Sequence, residues 1–191
     1  VLNRVVSWQE HGLTYEADPR QHEKLIRELG LEGSKPVGTP CVKHSSEEIA
    51  RDEELLEHKV THFRGLAARG NYLSADRPDC QYAAKEVCRF MAKPTEMSVQ
   101  DMKRLARYLL GKPRLVYEYP WQSADAIDVY SDTDWAGCLK TRKSTSGGVI
   151  LFGGCVIKSY SSTQSVRALS SGEAEYEWGA DSVCSAHPDC L

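Results

Sequence analysis

The spacing of hydrophobic residues divides this chain of 191 residues into a helical first part and a strand-rich second part. In residues 18–33 and again in residues 79–111 apolar residues recur every three or four positions, which is typical of helices that bury one face. After "PWQSAD", residues 120–125, polar and apolar residues alternate as in strands. Residues 1–17 predict a hairpin, with "LNRVVSW" and "LTYEA" on either side of the turn "QEHG". The predicted fold class is therefore mixed α/β.

The segment "DPRQHEKLIRELGLEG" carries signals for both ends of a helix. Asp18 is the predicted N-cap, Pro19 the first helical residue, Gln21 the residue that closes a capping box, and Gly30 the stop. Its apolar stripe consists of Leu25, Ile26 and Leu29. The following "GSKPVGTP", residues 33–40, predicts a linker because its two prolines forbid a continuous helix.

Two more helices are predicted between Asp79 and Gly111, separated at Pro94. The first presents small and apolar residues on one face, namely Cys80, Ala84, Val87, Cys88 and Met91. In the second, Ser98 with Asp101 resembles a capping box. Its predicted buried face consists of Val99, Met102, Leu105, Ala106 and Leu109. The acidic sequence "SSEEIARDEELLEHK" before these helices predicts a solvated helix face.

The last third of the chain predicts a strand, a hairpin and a helix in that order. The strand is "AIDVYSD", and "GGVILFGGCVIKSYSS" is a hairpin whose turn is Gly153 and Gly154. In "SSGEAEYEWGA", Ser170 is the predicted N-cap and Glu173 the capping-box acid.

The net charge of −3 is distributed unevenly. Residues 79–121 contain eight Lys or Arg and five Asp or Glu, whereas residues 123–181 contain eight acids and five bases. Lys103 and Arg107, with Arg104 between them, form either a solvated surface or a ridge that follows nucleic-acid phosphates. Both interpretations stay open at this point.

The seven scattered cysteines contain no Cys-x-x-Cys pair, which predicts thiols in a reducing compartment rather than disulfides. Cys184, His187 and Cys190 are spaced either as three metal ligands or as part of an unstructured tail. No segment approaches the roughly 20 apolar residues that a membrane span needs.

The acidic residues of "VYSDTDWAG" are candidates for metal chemistry. Along a strand, Asp128, Tyr130, Asp132 and Asp134 share one face, opposite to that of Val129. Carboxylates two residues apart lie roughly 7 Å from each other, which is too far to chelate one ion easily. Asp132, at the end of the apolar run, is therefore the predicted ligand and Asp134 a neighbour without an assigned role.

Glu175 is the proposed partner of Asp132, because Glu173 already has a role as the capping-box acid. An Asp on a strand and a Glu on an adjacent helix are hard oxygen ligands of the kind that Mg²⁺ accepts. Two such ions can activate a water in phosphodiester hydrolysis. An ordinary solvated glutamate is the competing interpretation of Glu175.

Several motifs resemble copia-type retrotransposon Pol polyproteins. "SDTDWAG", "RKSTSGG", the glycine-linked hairpin and "ALSSGEAEY" are similar to their ribonuclease H region. Upstream, "KPVGTP", "YLSADRPDCQYA", "RFM" and "KRLARYLLG" resemble the segment that connects the polymerase to that domain. The resemblance covers most of residues 20–176.

The resemblance implies a partial ribonuclease H-like fold, three antiparallel strands and then a helix, that cuts the RNA strand of an RNA·DNA hybrid using Mg²⁺. It assigns catalytic and metal-binding roles to Asp132 and Glu175. Arg142 and Lys143 would contact substrate phosphate, although a basic turn is as often merely exposed. The remainder of the Pol polyprotein is the expected protein partner. The expected location is intracellular, with cytoplasmic particles and the nucleus both open.

The chain also departs from the family's pattern. The polymerase motif Tyr-x-Asp-Asp is absent, so no polymerase activity is expected. Further ribonuclease H carboxylates are expected beyond Leu191, and the sequence after Tyr176 no longer follows the family. Asp181 and Asp189 occur in that tail, with nothing to place them beside Asp132.

Four segments are predicted on this basis: the end of the reverse transcriptase region (1–40), a helical connection region (41–122), a partial ribonuclease H domain (123–180) and a divergent tail (181–191). Three functions remain open. The first is a Pol segment with little or no nuclease activity, and the second is a nuclease completed by another chain or by the tail. The third is a non-catalytic nucleic-acid-binding remnant that uses residues 79–114.

Overall fold

The computed structural model describes residues 3–123 and 126–177, which divide between two compact units, Val1–Tyr119 and Pro120–Leu191. The described part contains six helices and two three-stranded sheets, which confirms the mixed α/β class. The four-segment division stays a prediction. The predicted metal ligands Cys184, His187 and Cys190, and the acids Asp181 and Asp189, lie outside the described residues.

The first unit contains one sheet and five helices. Its strands are β1 (Val5–Gln9), β2 (Gly12–Glu16) and β3 (Val116–Pro120), in the order β1-β2-β3. Its helices are α1 (Pro19–Glu28), α2 (Ser46–Ala50), α3 (Glu57–Ser74), α4 (Pro78–Cys88) and α5 (Glu96–Gly111). The antiparallel pairing of β1 with β2 confirms the predicted hairpin.

Helix α1 begins and ends where the sequence predicts. The Asp18 carboxylate caps it by accepting from the Arg20 backbone N–H at 3.1 Å. Gln21 differs from the prediction, because its side-chain amide donates to the Asp18 carboxylate at 3.0 Å. At the other end, Gly30 adopts a φ of 64° just after the C-cap Leu29.

The core of the first unit lies between α1, α3, α4 and α5. Leu25, Phe63, Val87, Met102 and Leu109 are all at most 2% exposed. The buried faces predicted for α4 and α5 are confirmed, with Cys88, Met91 and Val99 only partly buried. The bounds of the longest helix, α3, were not predicted, because its buried face includes Gly70 and Ser74 and therefore shows little hydrophobic contrast.

The predicted cap of α5 is wrong by one turn. Thr95 is the N-cap, and Ser98 is the third helical residue of a reciprocal capping box. Asp101 instead hydrogen-bonds His44 Nε2 at 2.8 Å. The acidic segment is exposed over most of its length, as predicted, but only Ser46–Ala50 of its first half is helical.

The second unit contains β4 (Ile127–Asp134), β5 (Thr145–Phe152) and β6 (Cys155–Thr163), paired antiparallel in the order β4-β5-β6. Gly153 and Gly154 form the predicted turn, with φ values of 55° and 78° that L side chains rarely adopt. Helix α6 follows, with residues 171–177 helical. Ser170 Oγ accepts from the Glu173 backbone N–H at 3.1 Å, which confirms the predicted N-cap.

Candidate functional site

The candidate site lies at the end of β4, where the register fixes the direction of each side chain. Asp132 pairs with Gly147 of β5, and Thr133 pairs with Ser146. Because side chains alternate along a strand, Asp132 points to one face of the sheet and Ser146 to the other. Asp132 is exposed, whereas Ser146 is buried.

Gln164, which follows β6, ties α6 to the buried face of this sheet. Its side-chain amide donates to Ser146 Oγ at 3.0 Å and to the backbone oxygen of Ala174 at 2.8 Å. Ala174 and Ile150 are fully buried. Helix α6 therefore starts beside the same end of the sheet as Asp132 but against the opposite face.

The two predicted metal ligands, Asp132 and Glu175, are both exposed. Neither side chain hydrogen-bonds or ion-pairs with another described residue. Within residues 3–123 and 126–177, no group of three or more His, Cys, Asp or Glu side chains is arranged to hold a metal ion. Gln164 brings the start of α6 to the sheet end that carries Asp132, but against the opposite face, and the joint metal site stays a prediction.

Asp134 has a structural role that the sequence did not reveal. Its carboxylate accepts a hydrogen bond from the backbone N–H of Thr145, opposite it in the register. A Cβ at Gly137 would collide with that carboxylate, so a larger residue there would displace the Asp134 side chain. Beside it, the Ala136 backbone N–H donates to Ser144 Oγ at 3.0 Å. Asp134 therefore closes the end of the sheet.

The predicted phosphate contacts Arg142 and Lys143 differ in their surroundings. Lys143 Nζ donates to the backbone oxygen of Ser165 and so holds the segment before α6. Arg142 is exposed, adopts a φ of 57°, and its guanidinium has no partner among the described residues. Arg142 is thus the one of this pair that is available to a ligand.

Two of the three predicted contacts on α5 attach the linker to the helix. Arg104 Nη2 donates to Thr39 Oγ1 at 2.8 Å, and Arg107 Nε donates to the backbone oxygen of Lys35 at 2.8 Å. Lys103 has no partner within the described chain. The basic residues of α5 therefore combine a structural role with unused donors.

A buried ion pair that the sequence did not reveal joins the start of α4 to the end of α5. Arg77, 1% exposed, donates to Asp79 at 2.7 Å and to the backbone oxygen of Lys112 at 2.8 Å. Tyr108 donates to the same carboxylate at 3.0 Å. Burial opposes ionisation of Asp79, but the hydrogen bonds and charge of Arg77 outweigh it and lower the pKa of this carboxyl.

The chain is similar to several proteins over about four fifths of its length. It is 33% identical over 152 residues to the retrovirus-related Pol polyprotein from transposon RE1 of Arabidopsis thaliana. The aligned residues make up 80% of this chain and 10% of that polyprotein. It is also 33% identical over 157 residues to the uncharacterized mitochondrial protein AtMg00810 of the same plant, covering 81% of this chain and 63% of that protein.

A third relative is the secreted RxLR effector protein 161 of Plasmopara viticola, 35% identical over 117 residues, or 61% of this chain and 82% of that protein. No protein-family model and no solved structure matches the chain. The described residues contain no helix long and apolar enough to cross a membrane.

The mixed α/β fold and these relatives together define the class of the chain, which is a segment of a retroelement polyprotein. Two other plant transposon Pol polyproteins match over 80% and 81% of the chain. The chain belongs to the retrovirus-related Pol polyproteins of copia-type transposons. It spans about a tenth of the length of the Pol polyproteins that it matches.

Proposed function

We propose that residues 126–177 contribute the first part of a ribonuclease H-type site, and that residues 41–122 connect this part to the polymerase in the parent polyprotein. One observation carries the proposal. Asp132 is presented to solvent without a partner on the first strand of a sheet whose third strand leads into the helix that carries Glu175. In this proposal the polyprotein acts on the RNA strand of RNA·DNA hybrids.

Asp132 and Glu175 are the side chains that would hold Mg²⁺. Exposed carboxylate oxygens suit this ion, which commonly takes one or two carboxylates and keeps waters. Mg²⁺ would supply an activated water and stabilise the leaving oxygen during phosphodiester hydrolysis. Because the resemblance implies further ribonuclease H carboxylates outside the part of the chain that follows the family, we propose that the rest of Pol supplies these ligands and that this chain alone has little or no nuclease activity.

Metal binding by the full chain tests the proposal without depending on activity. Mn²⁺, a paramagnetic substitute, should broaden the NMR amide signals of residues next to Asp132 and Glu175. The broadening should disappear in Asp132→Asn and Glu175→Gln. Asp128→Asn is the matched control, because Asp128 is exposed, unpartnered and on the same face of β4. Equal broadening in Asp132→Asn and Asp128→Asn would refute the metal site.

A cleavage assay with a labelled RNA·DNA hybrid and Mg²⁺ then measures whether the site is complete. We expect the full chain to bind the metal ion but not to cleave the hybrid at any protein concentration. Cleavage that Asp132→Asn abolishes and Asp128→Asn preserves would show instead that the chain completes its own site.

A second candidate function is non-catalytic binding of nucleic acid through residues 79–114. Most cations in this range already have intramolecular partners, namely Lys85, Arg89, Lys93, Arg104, Arg107 and Arg114. The observation that favours the function is the unpartnered ammonium of Lys103 on α5. Oligonucleotide affinity that stays constant between low and high salt would refute it, because phosphate contacts release counterions.

A further inference from the structure

We propose that a groove between the linker and α5 is a binding site for a phosphate group. This basic groove encloses about 540 Å³ and lies entirely within the first unit. The side chains that define it are Lys35, His44, Gln100, Lys103, Arg104 and Arg107. Asp132 and Glu175 belong to the second unit and do not line the groove, so the inference does not depend on the nuclease proposal.

The charge of the basic groove favours an anion. Four side chains that line it are permanently cationic, and only one, Asp101, is a carboxylate. That carboxylate is already hydrogen-bonded to His44 Nε2 at 2.8 Å. Like charges around one cavity repel each other, and a bound anion would offset this repulsion.

Several donors in the basic groove lack acceptors within the described chain. Arg104 Nε is buried and has no hydrogen-bond partner, although Nη2 of the same guanidinium donates to Thr39. Arg107 uses only its Nε, which leaves its terminal N–H groups unpaired. The ammonium groups of Lys35 and Lys103 have no partner either. An oxyanion in the basic groove would accept from the terminal N–H groups of Arg107 and from the two ammonium groups, since Arg104 Nε is enclosed by the protein.

The types of donor in the groove indicate phosphate in particular. Arginine presents planar pairs of N–H groups that match two oxygens of one phosphate, and lysine adds a point charge. Four cations around one cavity suit an anion with several oxygens and more than one charge better than a single carboxylate.

The walls of the basic groove are formed before any ligand binds. The Val37 backbone N–H donates to the backbone oxygen of Arg107 at 3.4 Å, and Arg107 Nε returns a bond to Lys35. Pro36 packs so closely on Gly111 that a Cβ there would lie 2.8 Å from it. A linker held at these points loses little entropy when a ligand binds, which favours affinity.

A phosphate group in the groove has two possible sources, a small polyphosphate or the phosphodiester backbone of a nucleic-acid strand. Where the source is a strand, the inference rests on the second candidate function and places its contacts in one groove, to which Lys35 and His44 contribute besides residues 79–114. Titration calorimetry of the full chain with pyrophosphate and with a single-stranded oligonucleotide separates the two sources. Binding of pyrophosphate as tight as that of the oligonucleotide identifies an isolated phosphate, and much tighter binding of the oligonucleotide identifies a strand.

Lys103→Gln and Lys35→Gln test the site, since neither side chain has an intramolecular bond to lose. Each should weaken binding of the favoured ligand several-fold, and for an oligonucleotide should lower the salt slope by about 1. Lys24→Gln on α1 is the control, because Lys24 is equally unpartnered, exposed and does not line the groove.

Three results would overturn the inference. They are no binding of either ligand, equal weakening by Lys24→Gln and Lys103→Gln, or salt-dependent oligonucleotide binding that neither groove variant changes. The last result would leave the second candidate function intact and remove only the groove.

Discussion

The carboxylate of Asp134 accepts the backbone N–H of Thr145, at the point where the pairing of β4 with β5 ends. Two residues earlier, Asp132 has no partner among the described residues. Two neighbouring acids on one face of a strand thus differ in role. One completes the sheet, and the other is available to a ligand.

Asp134→Ala is expected to destabilise the second unit by about 1 to 3 kcal/mol, because the partly buried Thr145 N–H would lose its acceptor. Asp132→Ala should change the free energy of unfolding by no more than about 0.5 kcal/mol, as is usual for an exposed side chain without contacts. Hydrogen exchange of the β5 amides measures both. Equal loss of protection in the two variants would contradict the division of roles.

The buried ion pair of Arg77 and Asp79 provides a prediction for the first unit. Arg77→Ala should cost about 3 to 5 kcal/mol, because it leaves the Asp79 carboxylate partly buried without its cation. Tyr108→Phe removes one hydrogen bond to the same carboxylate and should cost only about 1 to 3 kcal/mol. Urea unfolding measures the free energy of unfolding of the two variants and of the unmodified chain.

Arg51→Ala is the control for this comparison, since the ion pair of Arg51 with Glu47 is exposed and should contribute little. A Tyr108→Phe variant as unstable as Arg77→Ala would show that the hydroxyl, rather than the cation, stabilises the carboxylate.

Local signals predicted the elements whose chemistry is contained in a few neighbouring residues. The N-caps Asp18 and Ser170 and the turn Gly153–Gly154 are confirmed, because a cap or a tight turn depends on residues within one turn of each other. The cap of α5 was placed one turn late because Thr95 and Ser98 are both good capping residues, and sequence alone does not decide between them.

Long-range partners could not be predicted in the same way. Arg77 reaches Lys112, and Arg104 reaches Thr39, across 35 and 65 positions of the sequence. The role of Asp134 depends on which residue of β5 lies opposite it, and that register follows from the whole hairpin. Sequence therefore singled out both acids, but it could not show that Asp134 closes the end of the sheet.

Cys80 is expected to resist modification in the folded chain. Burial raises the pKa of its thiol to about 12, and the side chain is 1% exposed, so almost no reactive thiolate is present at neutral pH. Cys155 is only partly buried and serves as the comparison. Alkylation with mass spectrometry should label Cys155 before Cys80 and label Cys80 only in denaturant. Equal rates for both thiols in the native chain would contradict this assignment.

The Asp18 cap should make the first unit sensitive to acid. Hydrogen bonds from Arg20, and then from the Gln21 amide, lower the pKa of the Asp18 carboxyl to about 2, although burial opposes this. A carboxyl whose pKa is lower in the folded than in the unfolded chain stabilises the fold above its ordinary pKa of 3.8. That stabilisation is lost progressively as the pH falls from about 4 towards 2.

Asp18→Asn keeps a good N-cap but removes the titrating group. Between pH 4 and pH 2, its urea midpoint should therefore fall less than that of the unmodified chain, with the remaining loss due to other carboxyls such as Asp79. Asp18→Ala should lower the urea midpoint at pH 7 as well, because the cap itself is gone. The free energy of unfolding should fall by about 1 kcal/mol. Parallel acid profiles for the unmodified chain and Asp18→Asn would show that the Asp18 carboxyl does not contribute to acid unfolding.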